Sequence, residues 1–312
     1  MKFAFVFPGQ GSQSVGMLDA WAAYPEVAGV VAEASAALGM DLSALIATGP
    51  AEQLNLTTNT QPVMLTAGMA TYQAWLAAGG PKADVMAGHS LGEYAALTAA
   101  GVLSLSDAVR VVRVRADAMQ AAVPVGTGAM AAILGLEDQA VRDACLAAAE
   151  GEVVEAVNYN APLQVVIAGH LTAVQRAMVT AKAAGAKRAL QLPVSAPFHS
   201  SLLKPAAAVL QQALAKLSLK SPSIPVINNV DVQAPSDPAA IVDALIRQAW
   251  HPVRWVEVIQ AMKARGVTHI VECGPGKVLA GMIKRIDPDM QAFAVTDPES
   301  MRTAIEALSQ AA

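Results

Sequence analysis

Residues Val85 to Gly92 read Val-Met-Ala-Gly-His-Ser-Leu-Gly, an apolar strand that runs into Gly-x-Ser-x-Gly and then into the helix-forming run Glu93 to Ala100. A serine between strand and helix, with glycines at 88 and 92 where a side chain would meet neighbouring backbone, sits on a tight turn with its hydroxyl clear of the sheet. Ser90 is therefore a candidate nucleophile. The Leu91 amide, at the start of the helix, points at any negative charge formed beside it. The competing reading is a glycine-flanked turn whose serine only caps the helix; the apolar strand before it and the helix after it weigh against that.

A serine nucleophile needs a base, and the chain has five histidines. His89 neighbours Ser90, but adjacent side chains at a strand end point in opposite directions, so it is expected to support the turn. His170, His251 and His269 fall at strand ends or before a proline and read as structural or surface residues. His199 lies in Val194-Ser-Ala-Pro-Phe-His-Ser-Ser, a loop stiffened by Pro197, and is the preferred base. Serine hydrolases with such an elbow orient the histidine with a carboxylate. Around His199 none is local: no Asp or Glu occurs from Ala156 to Val230. A distant acid folding back, or a backbone carbonyl, would have to serve. A carbonyl would leave a milder base, sufficient for an activated thioester.

Arg115 lies in the stretch Ser106–Val123, where Val109, Val112, Ala116, Met119 and Val123 form an apolar stripe. It falls about 60° from the centre of that stripe at about 100° per residue, which predicts partial burial. A guanidinium there usually has an anionic partner, and the sequence leaves open whether that is a structural carboxylate or a substrate carboxylate held bidentate. The segment Phe7-Pro-Gly-Gln-Gly-Ser-Gln-Ser-Val-Gly16 invites a dinucleotide-binding reading, but position 14 is Ser14 where the third glycine should stand, and no acid follows at the required distance. Gln10 and its glycine neighbours read instead as a flexible polar rim over Ser90 whose backbone amides can serve as oxyanion donors. Gly274-Pro-Gly276-Lys277 lacks phosphate-loop spacing and reads as a strand-to-helix turn.

These groups need a scaffold. The chain has 312 residues, 54% apolar and 15% charged, enough for a large core in one domain or two unequal ones. No run of about 18 apolar residues suggests a membrane span, and the apolar run at the N-terminus is short for a signal peptide. Cytoplasmic residence is expected. Cys145 and Cys273 lack metal or redox spacing and read as small buried residues. The net charge of −4 argues against nucleic acid as a partner. Inside the acid-free window lie Arg176, Lys182, Lys187, Arg188, Lys204, Lys216 and Lys220, a local positive field able to steer an acidic partner, or else scattered solvated lysines.

Short apolar strands at Phe3–Phe7, Val85–Ala87, Val226–Asn228 and His269–Val271 alternate with alanine-rich helices over Val27–Leu38, Gln61–Ala78, Ser106–Val123, Ala206–Leu217, Pro238–Ala249 and Trp255–Arg265. This predicts an α/β fold with a mainly parallel sheet covered on both faces. Between Gly128 and Val194 the order becomes strand Ala129–Leu134, helix Asp138–Ala149, strands Val153–Asn158 and Gln164–Ala168, helix Thr172–Ala184 and strand Arg188–Pro193. That is the split βαβ order of a ferredoxin-like unit. The expected organisation is a large core of residues 1–126 and 196–312 with an inserted subdomain of 127–195, and an active site in the cleft between them.

Phe7-Pro-Gly-Gln-Gly-Ser-Gln, Gly88-His-Ser-Leu-Gly-Glu-Tyr94, Arg115, Pro197-Phe-His-Ser200, Asn228-Asn-Val and Gly274-Pro-Gly-Lys-Val-Leu279, in this order and spacing, resemble the malonyl-CoA:acyl carrier protein transacylases of fatty acid synthesis. The resemblance extends from about Phe3 to Arg285. It implies a hydrolase-like core with a ferredoxin-like insertion and ping-pong transfer of malonyl from coenzyme A to an acyl carrier protein. Ser90 would carry the acyl ester, His199 would be base and then acid, and the Leu91 and Gln10 amides would hold the oxyanion. Arg115 would pair with the free malonyl carboxylate, and the Gln248 carbonyl would orient the histidine. Related acyltransferases with leucine after the serine and phenylalanine before the histidine tend to take malonyl, and this chain has Leu91 and Phe198. A bulky Phe198 would disfavour a 2-methyl branch by about 1–3 kcal/mol. The acidic carrier would dock on Arg176, Lys182, Lys187 and Arg188. No cofactor beyond the substrate-borne coenzyme A and phosphopantetheine is expected, and the chain reads as a monomer. The alternative is a serine esterase or thioesterase, which would hydrolyse its acyl-enzyme and have no use for Arg115.

Overall fold

The computed structural model describes residues 1–194 and 196–310. The expected unit ends at 195 and 312 lie outside the described residues. Nine strands form two sheets among them: β1 (Lys2–Phe7), β2 (Val85–Gly88), β3 (Gly128–Leu134), β4 (Val154–Ala161), β5 (Gln164–His170), β6 (Arg188–Gln191), β7 (Val226–Ile227), β8 (Val267–Cys273) and β9 (Gln291–Val295). The larger sheet has the order β7-β2-β1-β8-β9, and every pairing in it is parallel. Its central strands are apolar runs buried on both faces, as a sheet sandwiched between helices requires. In β1, Phe3, Phe5 and Phe7 point to one side and pack with Tyr72 and Trp75 of the helix Thr57–Ala77, while Ala4 and Val6 join the cluster on the other.

The smaller sheet is antiparallel, order β4-β5-β3-β6. The helices Asp138–Ala148 and Leu171–Ala183 cover one face through Ile133, Val141, Val165, Ile167 and Val174. From the opposite face Met130 and Val166 join Leu192, Val194 and Phe198 in a separate small cluster. That second face looks onto the carboxyl ends of the larger sheet.

The structure differs from the sequence reading in a few elements. β9 was not expected; it completes the sheet as an edge strand on β8. The helix expected from Gln61 begins at Thr57, so that Gln61 lies in its second turn and is buried rather than at an open end. Short helices Leu42–Thr48 and Ala51–Leu54 were also missed. Cys145 and Cys273 are buried and unpaired, as expected. Among the described residues no helix is long and apolar enough to cross a membrane.

The elbow after β2 is held by close backbone approach. A Cβ on Gly88 would lie 1.8 Å from the Gly92 carbonyl carbon, and one on Gly92 would lie 2.0 Å from the Phe7 carbonyl oxygen. Neither obstacle is a flexible side chain. Gly92→Ala is therefore expected to destabilise the fold by at least about 2 kcal/mol, measured by urea unfolding, because relief requires moving β1; wild-type stability would contradict this packing.

Candidate active site

The register pairs Phe7 with Gly88 and Val6 with Glu272, bringing the carboxyl ends of β1, β2 and β8 together. This is where ligands meet open parallel sheets. A cavity of about 190 Å³ opens there, bounded by Gln10, Ser90, Leu91, Arg115 and His199 on one side and by Met130, Val166, Leu192 and Val194 on the other.

Ser90 sits on the turn between β2 and the helix Gly92–Ala99 with φ of 54°. The left-handed conformation costs a non-glycine residue about 1–2 kcal/mol and is held by hydrogen bonds on both sides of the residue. Its amide donates to Asn229 Oδ1 at 2.7 Å, and its carbonyl accepts from Gln248 Nε2 at 2.8 Å. Asn229 in turn donates to the Gly88 carbonyl at 2.8 Å. His199 is likewise left-handed, with φ of 65°. Its Nε2 lies 2.6 Å from Ser90 Oγ, and its Nδ1 lies 2.9 Å from the Gln248 carbonyl. A carbonyl can only accept, so Nδ1 carries the proton and Nε2 is left free to take one from the serine.

Arg115 is buried more deeply than the helical wheel predicted, at 3% exposure, because the helix Leu105–Ala121 packs against Thr57–Ala77 and faces the elbow. Its Nη1 donates to Gln61 Oε1 at 2.7 Å, and its Nη2 donates to Gln248 Oε1 at 3.0 Å and to Ser90 Oγ at 3.1 Å. Among the described residues no carboxylate forms an ion pair with it, and Nε has no partner. Of the two partners the sequence left open, the structural carboxylate is absent. The guanidinium also stands over the Tyr94 ring, 5.5 Å from its centroid.

Leu91 begins the helix in right-handed geometry, and its amide and that of Gln10 have no protein acceptor among the described residues. Both residues border the cavity beside Ser90. The Gln10 side chain is not the flexible rim expected: its Oε1 accepts from Thr57 Oγ1 at 2.7 Å, a contact made possible by the longer helix. Of the other histidines, His89 bonds Asn160 of β4 at 2.8 Å and lies edge-on to Trp255, thereby tying the two sheets beneath the elbow. His170 accepts from the Val153 amide, and His251 and His269 lie against Trp250 and Phe293. None of these three reaches the cavity. Gly274–Lys277 is the turn from β8 into the helix Val278–Ile286, whose first amides bond Glu272.

Sequence reasoning missed Gln61, Glu93 and Asn229, all buried and all bonded to the central residues. Glu93 and Asn229 each had a signal, as part of the Gly88–Tyr94 and Asn228-Asn-Val motifs, and Gln61 had none. Burial pulls the His199 pKa down to about 3, with the Arg115 charge adding to the effect and the Gln248 carbonyl opposing it. Burial also raises Glu93 to about 7, against bonds from Gln248 and Asn229 and the charge of Arg115.

An α/β fold with a serine on a strained elbow, a neutral histidine against its hydroxyl and two free amides alongside defines an enzyme able to make and break acyl esters. The chain belongs to the acyl transferase domain family, whose pattern matches residues 4–295. It is 56% identical over 306 residues to the malonyl CoA-acyl carrier protein transacylase of Escherichia coli K12, covering 98% of this chain and 99% of that one. It is 45% identical over 311 residues to the Bacillus subtilis transacylase of the same name, covering 99% and 98%. Among solved structures, the acyl-carrier-protein S-malonyltransferase of Burkholderia pseudomallei superposes with a TM-score of 0.97 at 61% identity, covering 98% of this chain and all of that one. A malonyl-transacylase in complex with a type II PKS acyl-carrier protein superposes with a TM-score of 0.97 at 49% identity, covering 98% and 100%.

The depressed pKa fixes the expected titration of the base. As pH falls through about 6.5, where an ordinary imidazole takes up a proton, His199 stays neutral, and it protonates only towards pH 3. In ¹⁵N NMR of the free protein its Nδ1-protonated neutral form is expected to persist to about pH 5. A titration centred near the ordinary value would contradict this picture.

Proposed function

We propose that the protein transfers the malonyl group from malonyl-CoA to the phosphopantetheine thiol of an acidic acyl carrier protein through a malonyl ester on Ser90. The observation that carries this reading is Arg115: a buried cation that forms no ion pair among the described residues, one hydrogen bond from the nucleophile. A cation so placed needs an anion, and a short dicarboxylic acyl group attached at Ser90 brings its free carboxylate to it. A plain esterase would have no use for such an arrangement.

In the forward half-reaction Ser90 Oγ attacks the thioester carbonyl while His199 Nε2 takes its proton. The oxyanion forms against the Leu91 and Gln10 amides. Collapse breaks the carbon–sulfur bond, and His199 returns the proton to the departing coenzyme A sulfur. The second half-reaction runs the same steps in reverse with the carrier thiol as nucleophile. Both thiols arrive on substrates, so the reaction so written draws on no resident cofactor. Phe198, which borders the cavity, supports selection against a branched acyl group.

For the carrier, the expected docking set narrows. Arg176 is paired with Glu150 and Glu152 and bonded to the Ala148 and Ala149 carbonyls, and Lys182 Nζ donates to the Lys187 carbonyl. Lys187 and Arg188 are exposed, and β6 leads from Arg188 to Leu192 at the cavity. These two cations are the favoured docking residues. A reaction between coenzyme A and a carrier protein, as the relatives' name gives it, supports the reading of a cytoplasmic protein.

After incubation with malonyl-CoA, intact-mass measurement should find one malonyl group on the wild type and none on Ser90→Ala. Arg115→Ala should lower malonyl transfer by about 10- to 100-fold, the worth of a charge-assisted pair, while acetyl transfer falls far less; equal loss of both would count against the carboxylate clamp. Charge reversal of Lys187 and Arg188 should raise KM for the carrier several-fold and leave Ser90 acylation by malonyl-CoA unchanged; an unaltered KM would exclude this docking face.

A further inference from the structure

In serine hydrolases with such an elbow a carboxylate sits on the distal nitrogen of the histidine. Here the Gln248 carbonyl has that place, and an acid stands one residue further back. Glu93, three residues after the nucleophile in the first turn of its helix, is 2% exposed. Its Oε2 accepts from the Asn229 amide at 2.8 Å and from Gln248 Nε2 at 3.0 Å. These two donors belong to the residues that hold the reacting groups. Asn229 binds the Ser90 amide and the Gly88 carbonyl. Gln248 binds His199 through its backbone, and Ser90 and Arg115 through its side chain.

A glutamine side chain has one donor end and one acceptor end. Carboxylate and Ser90 carbonyl at the donor end force the oxygen of Gln248 toward Arg115, where it accepts from the guanidinium. Flipped, the amide would set N–H groups against a cation and leave the Glu93 carboxylate facing an oxygen. We propose that Glu93 is a positioning residue for the acyl transfer: its buried carboxylate sets the orientation of the Gln248 amide and of the Asn229 loop, and through them the alignment of His199, Ser90 and Arg115. What Glu93 supplies is an acceptor at one fixed point. This rests on the reading of Ser90 as the acylated nucleophile.

The test is rapid-quench mass kinetics of Ser90 malonylation in the full chain, with circular dichroism to match folding. Glu93→Leu keeps the bulk and removes the acceptor; Glu93→Gln keeps an oxygen at the same reach. Glu93→Leu is expected to slow acylation at saturating malonyl-CoA by about 100-fold, the scale of an ångström-sized misalignment, with KM within about threefold. Glu93→Gln should stay within about tenfold of wild type. Adding Gln248→Ala to Glu93→Leu should cost at most about twofold beyond the slower single variant, since both act on one link. Should Glu93→Leu fail to fold, Glu93→Asp replaces it: it keeps the charge, withdraws the oxygen, and should be slower than Glu93→Gln. Wild-type rates in Glu93→Leu, equal rates for Leu and Gln, an Asp variant as fast as Gln, or additive losses would overturn the inference. Absence of malonyl on the wild-type protein would instead remove the reading beneath it.

Discussion

The hydrogen bond from His199 Nδ1 to the Gln248 carbonyl is the constraint on which the rest of the site depends. It selects the tautomer that leaves Nε2 able to accept from Ser90, and it does so without a charge. Gln248 can hold this position because it is fully buried at the end of the helix Pro238–Gln248, where a carbonyl is left without a helical partner. Its side chain then gathers the remaining pieces, with the Ser90 carbonyl and Glu93 on its nitrogen and Arg115 on its oxygen. One residue thus links base, nucleophile and cation, although it touches no reacting bond.

The electrostatics of the site are unbalanced in a way that suits an anionic guest. His199 is held neutral by desolvation and then by the positive charge of Arg115. Arg115 itself is buried with amide oxygens, a hydroxyl and an aromatic face for company. A carboxylate bound to Arg115 would offset the second of the two effects on His199, making the imidazole a stronger base when a dicarboxylic substrate is in place. Acyl groups without a carboxylate would leave the cation unneutralised and the base weaker. A difference of that kind would be expressed in the proton transfer, in the transition state, as well as in binding.

Much of this was legible in the sequence because it rests on local rules. Gly88 and Gly92 mark positions where a Cβ would meet backbone, and that alone puts Ser90 on an elbow. The alternation of strands and helices gave the parallel sheet, and the change of pattern after Gly128 gave the antiparallel one. The loop stiffened by Pro197 pointed to His199, the histidine that the structure sets against Ser90. The contributions of Gln61, Glu93 and Asn229 were not legible, because each depends on contacts across 54 to 139 residues of chain. Arg115 shows the same limit. Its helix announced an amphipathic face, but how deeply the residue is buried is set by the helix Thr57–Ala77 and by the elbow, which no wheel contains.

The choice of a carbonyl over a carboxylate at His199 follows from the reaction the site is read as performing. An ionised acid beside the imidazole would stabilise its protonated form and make the base strong enough to activate poor nucleophiles for resistant bonds. A thioester needs less, and a transferase gains from less: the same histidine must give up its proton again in each half-reaction, first to the coenzyme A sulfur and then to Ser90 Oγ, which a weak base does readily. The carbonyl also permits Arg115 to lie against the nucleophile. With an acid directly on His199, that guanidinium would have an intramolecular partner close by and would be less available to the substrate. Setting the acid back at Glu93, where two N–H groups occupy its Oε2, retains its orienting effect while leaving Arg115 for the acyl group.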